Sequence, residues 1–218
     1  MFKNIQAVIF DLDGTLIDSM WIWDEISESY LQNKGVVKPD NLEDEINHLS
    51  FQQTAEYFRN NFNLSETVEE IMNEINDLAF ENYKNKARLK PGALEFINAL
   101  KSKGIKLGIA TSNSLPLLDA VLESNGISHI FETITTTSEV DKPKNYPDVY
   151  LLAAERLSVS PEHCIVFEDI LAAVKGAKSA GMKVVAVYDK YSAHQKSQLC
   201  ITADKYIDNF MEIKESLD

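Results

Sequence analysis

No apolar run of 18 residues occurs in this chain, and that absence excludes a membrane-spanning helix from its reading. Cysteine is scarce: Cys164 and Cys200 are too few for a disulfide framework and too far apart for a metal-ligand pattern. Reduced thiols are the expectation. Basic residues are in deficit, 21 Lys and Arg against 34 Asp and Glu, so the formal net charge of −13 argues against a nucleic-acid partner. The opening Met1-Phe2-Lys3-Asn4-Ile5-Gln6 lacks the charged, apolar and small-residue order of a signal peptide, which points to a cytoplasmic location and no membrane partner. Repeats, linkers and low-complexity tracts are also missing. What is present is 218 residues of 44% hydrophobic content, enough to bury a core as one domain or two. A monomer is expected, with oligomers left open.

The first apolar strand, Ala7-Val8-Ile9-Phe10, runs directly into Asp11-Leu12-Asp13-Gly14-Thr15. Charge at the end of a buried strand is costly unless a cation or a reaction uses it. Asp11 and Asp13 are two residues apart, and on an extended chain that spacing points both to one side. One carboxylate can then attack while the other moves a proton. An acidic turn or a calcium loop is the plainer alternative, but a calcium loop asks for further alternating ligands and a late Glu, whereas Leu16 and Ile17 follow.

Three more apolar runs end in polar groups. Lys106 to Ala110 leads into Thr111-Ser112-Asn113. Ile130 to Ile134 is followed by a polar loop holding Lys142 and Lys144, and Cys164 to Phe167 ends in Glu168-Asp169. In open parallel sheets ligands bind at the carboxyl ends of the strands, so four such ends define one pocket. Further strands fit Lys183 to Val187 and Asp204 to Ile207, with helices over 93–103, 115–125, 148–157 and 170–180 between them. The α/β alternation is interrupted from Asp18 to Ala87, where helical periodicity dominates: 41–49, 51–62 and 65–86 read as helices after a first one around Trp21 to Leu31, with Ser65 as the N-cap of the last. The expected architecture is therefore α/β, a Rossmann-like doubly wound parallel sheet formed by 1–17 and 88–218, with an inserted helical cap domain at 18–87.

This pattern resembles the haloacid dehalogenase superfamily of phosphohydrolases and phosphomutases. The resemblance is to its helical-cap members, such as β-phosphoglucomutase and phosphoglycolate phosphatase-like proteins. It rests on Asp11-x-Asp13-x-Thr15, Thr111 after the second strand, a lysine in the next segment, and Glu168-Asp169 after a fourth strand. It implies Asp11 as nucleophile, Asp13 as general acid and base, Thr111 and a lysine on the phosphoryl oxygens, and a metal site of Asp11, Asp13, Glu168 and Asp169. The lysine is Lys144 by spacing back from Asp148, with Lys142 as competitor. Ser112 and Asn113, adjacent to Thr111, are candidates to contact substrate, as is Trp23, since Trp21 and Trp23 cannot share one helical face.

Asp11, Asp13, Glu168 and Asp169 with one lysine sum to about −3 before a phosphate dianion arrives, so a cation is needed, and an all-oxygen site suits Mg²⁺. The expected activity is Mg²⁺-dependent hydrolysis of a small phosphorylated metabolite, a sugar phosphate or similar monoester. A phosphohexomutase of the β-phosphoglucomutase type is the alternative, and a silent phosphate-binding protein is disfavoured because both Asp11 and Asp13 are present. Hydrolysis is preferred because this sequence has Trp23 where that mutase has a His twelve residues after the nucleophile, and because Asn47 to Gln53 offers no cap arginine.

Overall fold

A computed structural model describes residues 1–214. β1 (Ala7–Phe10) leads through a tight loop to β2 (Ile17–Asp18), after which come α1 (Met20–Asn33), α2 (Leu42–Ile46), α3 (Phe51–Asn61) and α4 (Val68–Asn85). β3 (Arg88–Leu89) returns the chain to an alternation of α5 (Ala93–Ser102), β4 (Lys106–Thr111), α6 (Leu115–Ser124), β5 (Thr133–Thr136), α7 (Asp148–Arg156) and β6 (Cys164–Glu168). It closes with α8 (Leu171–Ser179), β7 (Lys183–Val187), α9 (Lys196–Thr202), β8 (Lys205–Ile207) and α10 (Met211–Lys214).

Six strands form one parallel sheet in the order β5-β4-β1-β6-β7-β8. β1 is central, with β4 on one side and β6 on the other, which is the doubly wound arrangement and puts the crevice of such sheets at its carboxyl end. Both faces are covered, and alternate residues of one strand serve opposite layers. Ile9, Val166 and Val184 pack with Val149 of α7 and Val174 of α8, while Phe10, Ile165 and Val185 pack with Phe96 of α5 and Leu118 of α6. None of the described helices is long and apolar enough to cross a membrane.

The second face is aromatic. Phe10 and Phe167 are register partners on adjacent strands with ring centroids 5.0 Å apart, and Phe96 and Phe210 close on Phe167 at 5.3 and 5.5 Å. This cluster anchors the strand ends from which the polar loops depart.

The helices between β2 and β3 join the sheet through those two strands, which pair antiparallel with Ile17 opposite Leu89 and Asp18 opposite Arg88. α1 buries Ile22, Ile26 and Tyr30 with the adjoining Leu31, and α4 buries Ile71, Ile75, Ala79 and Tyr83, steps of four that put each set on one face. Capping boxes open α3 and α4, through Ser50 with Gln53 and Thr67 with Glu70. The N-cap of α4 is thus Thr67 rather than Ser65, because only Thr67 has a carboxylate three residues on that reaches back to its own N–H.

Other features also differ from the sequence reading. The strand expected at Ile130 to Ile134 begins at Thr133: Ile130 N–H bonds Ile127 C=O at 3.1 Å in a turn, and its apolar side chain and Phe131 serve the core from outside the ladder. The helix α9 lies where no element was expected, and Leu199 is its one buried side chain.

Phe167→Ala is expected to lower stability by about 3–5 kcal/mol, the range for deleting a buried aromatic ring. Urea unfolding at unchanged m should report it as a lower midpoint.

Candidate active site

The strand register brings the predicted side chains to one edge. Phe10 lies opposite Ile109 of β4 and Phe167 of β6, so Asp11, one residue on, emerges beside Ala110-Thr111 and Glu168. Its N–H bonds Phe167 C=O at 3.0 Å. Lys144 enters from the loop after β5: its Nζ donates to Asp11 Oδ1 and, at 2.6 Å, to Glu168 Oε1, which also accepts from Tyr150 Oη at 2.8 Å. All three charged side chains are buried. Lys142, the competing lysine, is exposed and lies over the Tyr146 ring, 5.4 Å from its centroid.

Close approach of backbones sets the position of Lys144. Gly176 of α8 lies against the carbonyls of Lys144 and Tyr146, where any Cβ would collide with both. From the other side, Lys144 N–H bonds the carbonyl of His48 at 3.1 Å, tying the loop to the helical segment.

Asp13 is held by different partners from Asp11. The chain turns after β1, with Leu12 C=O accepting from both Leu16 and Ile17 N–H, so a turn rather than an extended strand carries Asp13 to the cavity that Asp11 also lines. Asp13 Oδ1 accepts from Ser19 Oγ at 2.6 Å and from Tyr83 Oη, and Oδ2 accepts from Asn113 Nδ2 at 2.8 Å. Asn113 also donates to Tyr83 Oη at 3.2 Å, and its N–H to Thr111 Oγ1 at 3.1 Å. Trp23 packs edge-on against Tyr83, centroids 5.6 Å apart.

A carboxylate oxygen from each of Asp11, Glu168 and Asp169 lies within 4.8 Å of the others. The structure does not bring the Asp13 carboxylate into that group, since hydroxyl and amide donors hold it elsewhere. Three buried carboxylates face one ammonium, leaving negative charge that burial penalises. Burial, then Asp11, pushes Glu168 up to about 7, and burial followed by Asp11 and Glu168 holds Asp169 well above the usual range. Burial opposes the Lys144 ammonium, yet Asp11 and Glu168 keep its pKa above the ordinary lysine value. Burial likewise raises Asp13, against its bonds to Ser19, Tyr83 and Asn113. Hard oxygen donors with uncompensated charge fit a small divalent cation such as Mg²⁺.

Two residues that matter here had no local sequence signal. Tyr83 stands 70 positions from the carboxylate it binds. Lys90 is buried and donates to Gly14 C=O, to Tyr188 C=O at 2.6 Å and to Asp189 Oδ2 at 2.9 Å. It thereby fixes Gly14, whose φ of +77° and missing Cβ leave room for Asp169, itself bonded by Thr15 Oγ1 at 3.1 Å.

The site residues open into one cavity. Asp11, Asp13, Thr111, Ser112, Asn113, Lys144, Glu168 and Asp169 line its sheet side, and Trp23 lines its helical side.

A family model described as haloacid dehalogenase-like hydrolase matches residues 8–187. The protein YhcW of Bacillus subtilis (strain 168) is 33% identical over 85% of this chain and 84% of its own length. The phosphorylated carbohydrates phosphatase of Thermotoga maritima is 29% identical over 82% of this chain and 83% of its own. Among solved structures, a β-phosphoglucomutase from Clostridium difficile matches with a TM-score of 0.82 across 98% of this chain and 97% of that one. At 23% identity this likeness speaks to the fold alone.

Lys90→Met should cost about 3–5 kcal/mol by leaving buried Asp189 without its cation. Gly176→Ala should cost about 1–3 kcal/mol by forcing α8 and the Lys144 loop apart. Denaturant titrations of the two variants measure both.

Proposed function

From its place among the haloacid dehalogenase-like hydrolases, to which the chain belongs, we propose that this enzyme is a Mg²⁺-dependent phosphatase acting on a small phosphorylated metabolite through an aspartyl phosphate on Asp11. The observation that carries the reading is the pairing of two differently held carboxylates at one cavity: Asp11 on the Lys144 ammonium, and Asp13 on a neutral network of Ser19, Tyr83 and Asn113. Different environments are what separate a nucleophile from an acid and base.

Asp11 attacks phosphorus as the bond to the leaving oxygen breaks, and that oxygen takes a proton from Asp13. Water then attacks the aspartyl phosphate, gives its proton to Asp13 and releases phosphate and free Asp11. Burial favours the protonated form of Asp13, as its first role requires. Lys144 and Thr111 offset the charge on the phosphoryl oxygens. Asp11, Glu168 and Asp169 would hold Mg²⁺, which supplies charge neutralisation between two anions that would otherwise repel. The helical segment 18–87 acts as a cap that limits water at the cleft. The family relationship to a phosphorylated carbohydrates phosphatase supports a sugar phosphate or a similar monoester as substrate. The reading further places the enzyme in the cytoplasm, as a monomer, with no nucleic-acid or membrane partner.

A phosphomutase would need a cation to hold a second phosphate at the far end of the cavity. Among the lining residues the only lysine or arginine is Lys144, and it is engaged by Asp11 and Glu168. That supports hydrolysis over transfer.

Asp11→Asn should lower phosphate release at least about a thousandfold with the fold intact, and Asp13→Asn should lower kcat about 10²–10⁴-fold with a smaller change in KM. Near-wild-type turnover by the purified Asp11→Asn enzyme would refute the mechanism. Excess chelator should stop activity, and added Mg²⁺ should restore it.

A further inference from the structure

The phosphoryl end of the cavity is accounted for by the residues above. Its helical side is not. There the walls are mostly apolar, with Trp23 and Ile26 of α1, Ile46 at the end of α2, Phe51 and Phe58 of α3 and Ile75 of α4, joined by the neutral polar side chains of Ser27, Asn47 and Thr54. A single charged side chain of the helical segment interrupts them, Glu43 of α2.

Glu43 Oε1 is buried and makes no hydrogen bond of good geometry. Burial raises the pKa of the carboxyl, while the Lys38 ammonium and the Ser27 hydroxyl beside it favour the ionised form. Lys38 Nζ stands 3.3 Å from Oε1, an ion-pair distance outside hydrogen-bond alignment, while the same ammonium is hydrogen-bonded to the Asp24 carboxylate. Lys38 itself does not line the cavity. Across the cavity, Ser112 Oγ is a second buried oxygen without a partner. Native structures leave few such groups, and those that face a cavity are positioned for what the cavity takes up.

An anionic group on this side would meet the Glu43 carboxylate in a partly desolvated space with no free cation lining it, an arrangement that strongly penalises binding. A hydroxyl meets an acceptor. We infer that Glu43 is the specificity-determining residue of the cavity, accepting a hydrogen bond from a hydroxyl of an uncharged leaving group and rejecting substrates that carry a second phosphate. The apolar walls receive the C–H faces of such a leaving group, and Ser112 completes its polar contacts. The inference rests on the phosphatase reading and narrows it, from phosphomonoesters at large to those whose alcohol is neutral and hydroxyl-bearing.

The test compares kcat/KM for fructose 6-phosphate, fructose 1,6-bisphosphate and phenyl phosphate, in the wild-type enzyme with Mg²⁺ and in two variants. Wild type should favour fructose 6-phosphate over the bisphosphate by at least about tenfold. Glu43→Gln keeps an acceptor but removes the charge, so this preference should shrink about tenfold. Glu43→Ala removes the acceptor, so the preference for fructose 6-phosphate over phenyl phosphate should fall about tenfold. Should the alanine variant fold poorly by circular dichroism, the near-isosteric glutamine variant still decides. Equal or better use of the bisphosphate by wild type, turnover of phenyl phosphate with neither fructose phosphate used, or ratios that Glu43→Gln leaves unmoved would each overturn the inference. Absence of turnover on all three compounds would instead count against the phosphatase reading itself.

Discussion

A single lysine ammonium between two carboxylates is the interaction on which the rest of the site depends. Asp11 and Glu168 are brought side by side by the register of β1 and β6, and without a cation their mutual repulsion in a buried setting would neutralise one of them. Lys144 supplies that cation from a third direction. Its reach is a backbone matter as much as an electrostatic one, since the loop that carries it fits only because residue 176 of α8 has no Cβ.

The second carboxylate is built on the opposite principle. Asp13 receives hydroxyl and amide donors in place of a charge, from Ser19, Tyr83 and Asn113. Tyr83 belongs to α4 of the helical segment and Asn113 follows β4 of the sheet, so the same bonds that hold this carboxylate also join the two parts of the chain at the cavity. The contacts Lys144 N–H to His48 C=O, at 3.1 Å, and Ser114 Oγ with Asn76 Oδ1, at 2.6 Å, add to that junction. The cavity and the packing of the helical segment therefore share residues, which makes the position of that segment a determinant of how Asp13 is held.

What the sequence made legible was local or periodic. Asp11, Thr111 and Glu168 sit at the ends of short apolar runs, and the strand ends gather them because a doubly wound sheet has one such edge. The six parallel strands followed from the alternation of those runs with helical spacing. Less legible was whatever depends on direction or on distant partners. The spacing of Asp11 and Asp13 suggested a shared side on an extended strand, whereas it is a turn at Leu12 that brings both to one cavity. Ile130 and Phe131 had the apolarity of a strand but are buried by a turn. Tyr83 and Lys90 act on residues 70 and 76 positions away, and nothing near either one marks it. Lys142 and Lys144 differ by two positions in one loop, and only the tertiary fold separates an exposed side chain from a buried one.

The central claim is that Asp11 forms a covalent bond to phosphorus during turnover. Rapid acid quenching of the wild-type enzyme within its first turnover on a radiolabelled phosphomonoester, followed by peptide mapping, tests it directly. The account predicts an acid-stable, hydroxylamine-sensitive label on the peptide that carries Asp11. A label on another residue, or none while phosphate is being released, would contradict it.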